Sequence, residues 1–166
     1  MKKVLFISST GGHLSELMQL KPLFKNYDYN IITEKTPSTI KLKNKYKEKI
    51  NFLVYESKSK PFRYIFKFSY NIIKSIILFI KLKPEYIIST GTHTAVPMCY
   101  IAKICIKKII YIETFANVYS KSLSGKLVYP IADLFIVQWE SMLKLYPKAI
   151  CGGGIYNDLS DIRDPR

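Results

Sequence analysis

The chain opens on Val4-Leu5-Phe6-Ile7, a continuous apolar run that breaks at Ser8-Ser9-Thr10-Gly11-Gly12-His13. Helical spacing follows, with Leu14, Leu17, Met18 and Leu20 sharing a face. Short apolar runs bounded by turn residues are the pattern of strands buried on both sides. The alternation recurs along the chain. It predicts strands over 29–33, 51–55, 85–89, 109–113 and 134–138, with helices over 37–48, 62–82, 94–106, 119–131 and 140–145. Strands alternating with helices imply parallel βαβ units with right-handed crossovers. The expected fold is therefore α/β: a doubly wound, Rossmann-like parallel sheet of six or seven strands. No Gly/Ser linker, low-complexity tract or internal repeat interrupts residues 1–156, which read as one domain. Residues 157–166 are polar and unpatterned and read as a tail.

Open parallel sheets bind ligands beyond the carboxyl ends of their strands, where the strand order reverses. In the order 3-2-1-4-5-6 that point lies between the first and fourth strands. The first strand ends in Thr10-Gly11-Gly12-His13 and the fourth in Ser89-Thr90-Gly91-Thr92-His93, so the only two histidines flank the expected crevice. Glycine beside small hydroxyl residues permits close backbone approach and exposes N–H groups at a helix start. The same residues would also serve as ordinary turns and helix caps. Glu113-Thr114 and Gln138-Trp139-Glu140 end the next two strands. His13 suits a general base at neutral pH, and Glu113 is the second candidate.

Several chemistries lack their signatures. Gly11-Gly12 is not a GxGxxG fingerprint, and neither GxxxxGK[ST] nor GxSxG occurs. Two histidines and three scattered cysteines (Cys99, Cys105, Cys151) give no zinc spacing, so no metal and no cofactor is expected. The cysteines form no CxxC pair, and no signal peptide precedes the first strand; reduced thiols in the cytoplasm are the expectation.

Charge narrows the partners. Lys+Arg number 26 against 12 Asp+Glu, a formal net charge of +14. Such excess points to a polyanion. Only three of the cations are arginine, the usual bidentate reader of phosphate and guanine, and no nucleic-acid motif appears, so nucleic acid is not expected. Lys60, Lys67, Lys74 and Lys81 instead recur every seven residues through the 62–82 helix, with Asn71 on the same stripe and Arg63 nearby. The remaining circumference is mostly Ile, Phe and Tyr. Such a helix is about 31 Å long, yet spanning a bilayer would place Lys67 and Lys74 near its centre, at a cost of at least about 2.5 kcal/mol each. Two placements remain: a helix lying in the headgroup layer with its lysines on anionic lipid, or a core helix with a solvated lysine stripe.

Three motifs in order resemble a known class. Ser8-Ser9-Thr10-Gly11-Gly12-His13-Leu14 resembles the glycine–glycine–histidine loop of GT-B glycosyltransferases that make lipid-linked sugars. Gly91-Thr92-His93-Thr94-Ala95-Val96-Pro97 is similar to their second glycine loop, and Ile112-Glu113-Thr114-Phe115-Ala116-Asn117 to their strand-five signature. The resemblance is to the acceptor-side, N-terminal-half subunits of split enzymes. These include capsule and exopolysaccharide proteins of the CpsF/PssD type and the membrane-anchoring subunit of the dolichol-pathway N-acetylglucosaminyltransferase.

The resemblance implies half of a two-component glycosyltransferase. Such a half would hold a polyprenyl-pyrophosphate-linked acceptor at the inner face of the cell membrane, while a separate donor-binding chain, the C-terminal GT-B half, brings the UDP-sugar. Capsular or exopolysaccharide synthesis is the expected setting. In the dolichol-pathway relative the C-terminal tail docks the partner, which would give residues 157–166 a role. That relative carries an N-terminal membrane anchor, for which no counterpart is expected in this sequence. His13 and Glu113 would be the catalytic candidates, with Thr10, Gly11, Gly12, Gly91, Thr92, His93, Thr114 and Asn117 binding substrate. Lys60, Arg63, Lys67, Lys74 and Lys81 would meet the membrane. Two other readings stay open: a non-catalytic membrane adaptor that recruits and activates a catalytic partner, and a complete small nucleotide-binding enzyme.

Overall fold

A computed structural model describes residues 1–55 and 61–156, with side chains for all of these except 61–63. Seven parallel strands form one sheet: β1 (Lys3–Ser8), β2 (Asp28–Lys35), β3 (Ile50–Val54), β4 (Tyr86–Gly91), β5 (Lys108–Ile112), β6 (Leu134–Val137) and β7 (Ile150–Cys151). Their order is β3-β2-β1-β4-β5-β6-β7, which reverses between β1 and β4 as the sequence predicts. The helices are α1 (Gly12–Gln19), α2 (Leu42–Tyr46), α3 (Pro61–Leu82), α4 (Val96–Ile104) and α5 (Leu123–Val128).

The unbroken apolar run of β1 follows from burial on both faces of the sheet. Leu5 and Ile7 join Leu78, Phe79 and Met98 in one core, while Val4 and Phe6 pack with Leu14, Leu17 and Phe24 in the other. Phe24 comes from a 3-10 turn, Lys21–Asn26, that the periodicity does not signal; its ring lies 4.6 Å from Phe6 and 4.5 Å from Tyr29.

Two helices are much shorter than the sequence pattern suggests. The 37–48 stretch contracts to α2 because the Thr39 hydroxyl donates to the Glu34 carbonyl at 2.6 Å and accepts from the Thr36 amide at 2.8 Å. Hydroxyls that bond nearby backbone in this way favour turns over helix. The 119–131 stretch contracts to α5, which starts where the Ser122 hydroxyl accepts from the Gly125 amide at 2.8 Å, an N-cap.

Helix α3 turns an unexpected side to the protein. Asn71, Ser75, Leu78 and Phe79 are buried. Asn71 therefore does not sit on a solvated basic line: its amide donates to the Val54 carbonyl at 2.8 Å and its oxygen accepts from the Val54 amide at 2.9 Å. It thus supplies edge strand β3 with the partners that a further strand would give, which blunts that edge. Phe66, Tyr70, Ile73, Ile77 and Ile80 form the outward stripe, with Phe66 76% exposed. A core helix with only its lysines in solvent is not what forms. Lys67 and Lys74 lie between the buried and the outward faces, and Lys67 donates to the Tyr55 carbonyl at 3.1 Å. Among the described residues no helix is long and apolar enough to cross a membrane. Lys60, the Arg63 side chain and the 157–166 tail lie outside the described residues.

Candidate functional site

The loop after β1 is pinned to the loop after β4. The Ser9 amide donates to the Gly91 carbonyl at 2.9 Å. Thr90 and His13 are joined twice: His13 Nδ1 lies 2.8 Å from the Thr90 carbonyl, and the Thr90 hydroxyl donates to the His13 carbonyl at 2.7 Å. A carbonyl oxygen only accepts, so Nδ1 carries the hydrogen, and the neutral ring presents its lone pair at Nε2. Gly91 is required beneath this ring. Its φ is +100°, and an added Cβ would lie 3.1 Å from the Tyr111 hydroxyl and 3.3 Å from His13 Nδ1.

His13, Thr92, His93, Thr114 and Asn117 line one cleft of ≈ 350 Å³ with Ala116 and residues 122–124. The crevice expected between β1 and β4 is therefore present, and five of the ten predicted catalytic and substrate residues share it. Thr10 and Gly11 face a second cleft of ≈ 480 Å³, on the other side of the glycine loop, walled by Ser15, Ser38 and Thr39. Gly12 is exposed at the first position of α1. The Thr92 hydroxyl lies 3.1 Å from His93 Nδ1, and the His93 ring sits 5.8 Å from that of Tyr64 on α3. The outward helix thus begins beside the cleft.

Glu113 is placed differently from His13. It is 1% exposed, accepts from the Tyr146 hydroxyl at 2.7 Å and from the Thr114 amide at 3.1 Å, and lies under Gly125 so closely that a Cβ there would collide with Oε2. Its carboxylate faces the core beneath α5 and is not part of the cleft wall. Burial and the Glu113 carboxylate both push the Tyr146 phenol well above its usual range, so it stays a donor.

Two buried carboxylates that the sequence reading did not single out organise the loops. Glu16 on α1 accepts from the Thr114 hydroxyl at 2.9 Å and the Phe115 amide at 3.0 Å. It is 3% exposed, and its second oxygen has no hydrogen-bond partner. Burial pushes its carboxyl above the usual range, against the pull of those two bonds and of His13; the nearby Glu113 adds to the rise. Glu34, at the end of β2, accepts from the Thr10 amide at 3.1 Å and the Thr94 hydroxyl at 2.7 Å. The available signal was positional: both acids stand where an apolar or small residue would suit a buried strand end or helix face. Among the described residues no group of three or more His, Cys, Asp or Glu side chains is placed to hold a metal.

Comparison with known proteins sets this geometry in a family. The chain is 30% identical to the UDP-N-acetylglucosamine transferase subunit ALG14 of Debaryomyces hansenii over 88% of this chain and 73% of that protein. With the subunit of the same name in Candida albicans it shares 44% identity over 48% of this chain and 39% of that one; with that of Rattus norvegicus, 37% over 55% and 45%. The aligned region thus spans less than half the length of the latter two. Among solved structures, the chain resembles Acinetobacter baumannii MurG with a TM-score of 0.69 and 13% identity, over 85% of this chain and 43% of that one. It resembles a Rickettsia bellii UDP-N-acetylglucosamine 2-epimerase with a TM-score of 0.72 and 16% identity, over 93% and 45%. The shared fold is the Rossmann-like half of a GT-B protein. A family profile described as "Oligosaccharide biosynthesis protein Alg14 like" matches residues 4–155, and the chain belongs to that family of glycosyltransferase subunits.

Proposed function

We propose that this chain is the acceptor- and membrane-binding half of a two-component glycosyltransferase, completed by a separate donor-binding chain. The observation that carries the reading is His13, its Nδ1 held 2.8 Å from the Thr90 carbonyl and its side chain lining the cleft at the switch point of a domain that matches less than half of two larger GT-B-like structures. The names of the relatives favour N-acetylglucosamine from its UDP derivative as the sugar, and the family description favours an oligosaccharide product; the acceptor in this reading is a polyprenyl-linked saccharide. They lend no support to a capsular or exopolysaccharide destination, and none is proposed.

Chemically, His13 Nε2 takes the proton of the acceptor hydroxyl as that oxygen attacks the anomeric carbon and UDP departs. Asn117 and Thr92 orient the acceptor in the cleft. The backbone amide of Gly12, exposed at the start of α1, meets the acceptor's phosphates. Glu113 supports the β5 loop from below and is not the base in this scheme. The outward stripe of α3 lies on the inner leaflet of the membrane, with Lys67, Lys74 and Lys81 toward anionic headgroups. Because Tyr64 abuts His93, a lipid-linked acceptor rising beside α3 reaches the cleft directly.

The test is reconstitution with the donor-binding chain, membranes and radiolabelled UDP-N-acetylglucosamine. His13→Asn is expected to abolish transfer while the two chains still co-purify. Full turnover by that variant would remove His13 from the chemistry and leave the chain as an adaptor for a partner that is itself catalytic.

A further inference from the structure

Glu34, at the end of β2, is the residue on which three segments of the site converge. Its Oε2 accepts from the Thr10 amide at 3.1 Å, its Oε1 from the Thr94 hydroxyl at 2.7 Å, and its carbonyl from the Thr39 hydroxyl at 2.6 Å. Thr10 leads through Gly11 and Gly12 into His13, and Thr94 follows His93 in the 3-10 turn His93–Ala95. The Glu34 side chain is buried, and among the described residues it forms no salt bridge. A buried carboxylate without a cation is a costly way to fill space that an apolar side chain would fill at no such cost. What it offers is two acceptors in one rigid plane, each turned to a donor from a different loop. Gly11 makes that hold necessary. Its φ is +80° and an added Cβ would meet nothing within 4 Å, so side-chain packing does not fix the bend.

We infer that Glu34 is a positioning residue for the reaction. The two bonds between His13 and Thr90 fix the ring; Glu34 fixes what stands on either side of it, the Thr10–Gly12 turn and the His93–Ala95 turn. The Gly12 amide and the Thr92–His93 wall of the cleft are thereby held at one separation, and the acceptor's phosphates and attacking hydroxyl reach His13 together. A displacement of about 1 Å in such an arrangement costs on the order of 10²-fold in rate. Glu34 acts through its two threonines and touches no reacting atom. The inference rests on the transferase reading above.

The test measures kcat and the KM of each substrate in the reconstituted pair, at a temperature where thermal melts show each variant fully native. Glu34→Gln keeps the brace: its oxygen accepts from the Thr10 amide, and its NH2 donates to the Thr94 hydroxyl, which turns to accept. It is expected to work like the parent. Glu34→Ala removes both bonds and is expected to lower kcat at least about tenfold and to raise the acceptor KM, with the donor KM unchanged. A purely structural role would leave kcat and both KM values of the native protein intact, and that result in Glu34→Ala overturns the inference. Equal losses in Glu34→Gln and Glu34→Ala overturn it in favour of the carboxylate's charge. Where Glu34→Ala fails to fold, Thr94→Val, which cuts one arm alone, decides. A lowered kcat that Thr94→Ser restores supports the brace, and a parental kcat in Thr94→Val overturns it. A parent pair that transfers no sugar fails the transferase reading itself, whereas a working parent pair matched by Glu34→Ala fails the inference alone.

Discussion

His13 and Thr90 grip each other twice across the switch point, once through the imidazole Nδ1 at 2.8 Å and once through the threonine hydroxyl at 2.7 Å. The two bonds run in opposite directions, so the ring cannot turn without breaking the tie between the β4 end and the α1 start. The tautomer that leaves Nε2 unprotonated is therefore set by backbone that the sheet itself holds in place.

Thr90→Val removes one of these bonds without changing the volume of the side chain. The His13 carbonyl loses its hydroxyl donor, and the Thr90 carbonyl still faces Nδ1. Loss of a buried hydrogen bond costs about 1–2 kcal/mol, which urea denaturation would measure. On the proposed role of His13, the expected signature in the reconstituted pair is a lower kcat with KM little changed, because only the aim of that ring is affected.

Glycines in the two halves of the site should behave oppositely. Gly125→Ala drives a methyl group into Glu113 Oε2 and the Tyr146 hydroxyl, and neither can retreat in a packed core. Its expected cost is about 1–3 kcal/mol. Gly12→Ala meets nothing within 4 Å and sits at the first position of α1. Alanine there should be neutral or stabilising by up to about 1 kcal/mol, and thermal melts of the two variants would separate them.

Glu16→Gln should alter the dependence of stability on pH. The folded carboxyl titrates above its ordinary range, so between the ordinary and the raised values the native state holds a proton that the unfolded chain has released. Glu16 thus contributes stability fully present below the ordinary value and lost as pH rises through the raised one. Glutamine keeps an oxygen for Thr114 and Phe115 and does not titrate. The stability of the parent relative to the variant is expected to fall as pH rises through that window, and a flat difference in denaturation midpoints would contradict the burial argument.

Asn71→Ala strips both partners from the Val54 peptide groups at the sheet edge. Unmet backbone groups cost roughly 1–3 kcal/mol, and the freed edge offers a template for another chain. A lower denaturation midpoint and a new self-associated species in sedimentation are the expected results.

The strands were legible because burial on both sides makes them uniform: Val4 to Ile7 has no polar residue to give it a face, and nothing but a central strand fits. The switch-point crevice was legible for a related reason, since strand order and the glycine loops determine it together. The limits of α2 and α5 were hidden, because they depend on hydroxyls at Thr39 and Ser122 that compete locally with the helix. Orientation was hidden as well. Glu113 and Asn71 occupy positions that a one-dimensional pattern assigns to a cleft and to a solvated stripe, yet tertiary partners, Tyr146 and Val54, draw both inward. Glu16 and Glu34 gave no motif at all; their roles exist only once loops distant in sequence are brought together.

Those last two carboxylates also bear on how the cleft can move. Glu34 ties the loop after β1 to the loop after β4, and Glu16 ties α1 to the loop after β5. Three loops so cross-braced form a single stiff jaw, and none can fold over a bound molecule as a hinged flap. On the two-component reading proposed above, enclosure of the reacting groups comes from the second chain pressing against this jaw, and its approach, not a loop motion within this chain, is the step that excludes water.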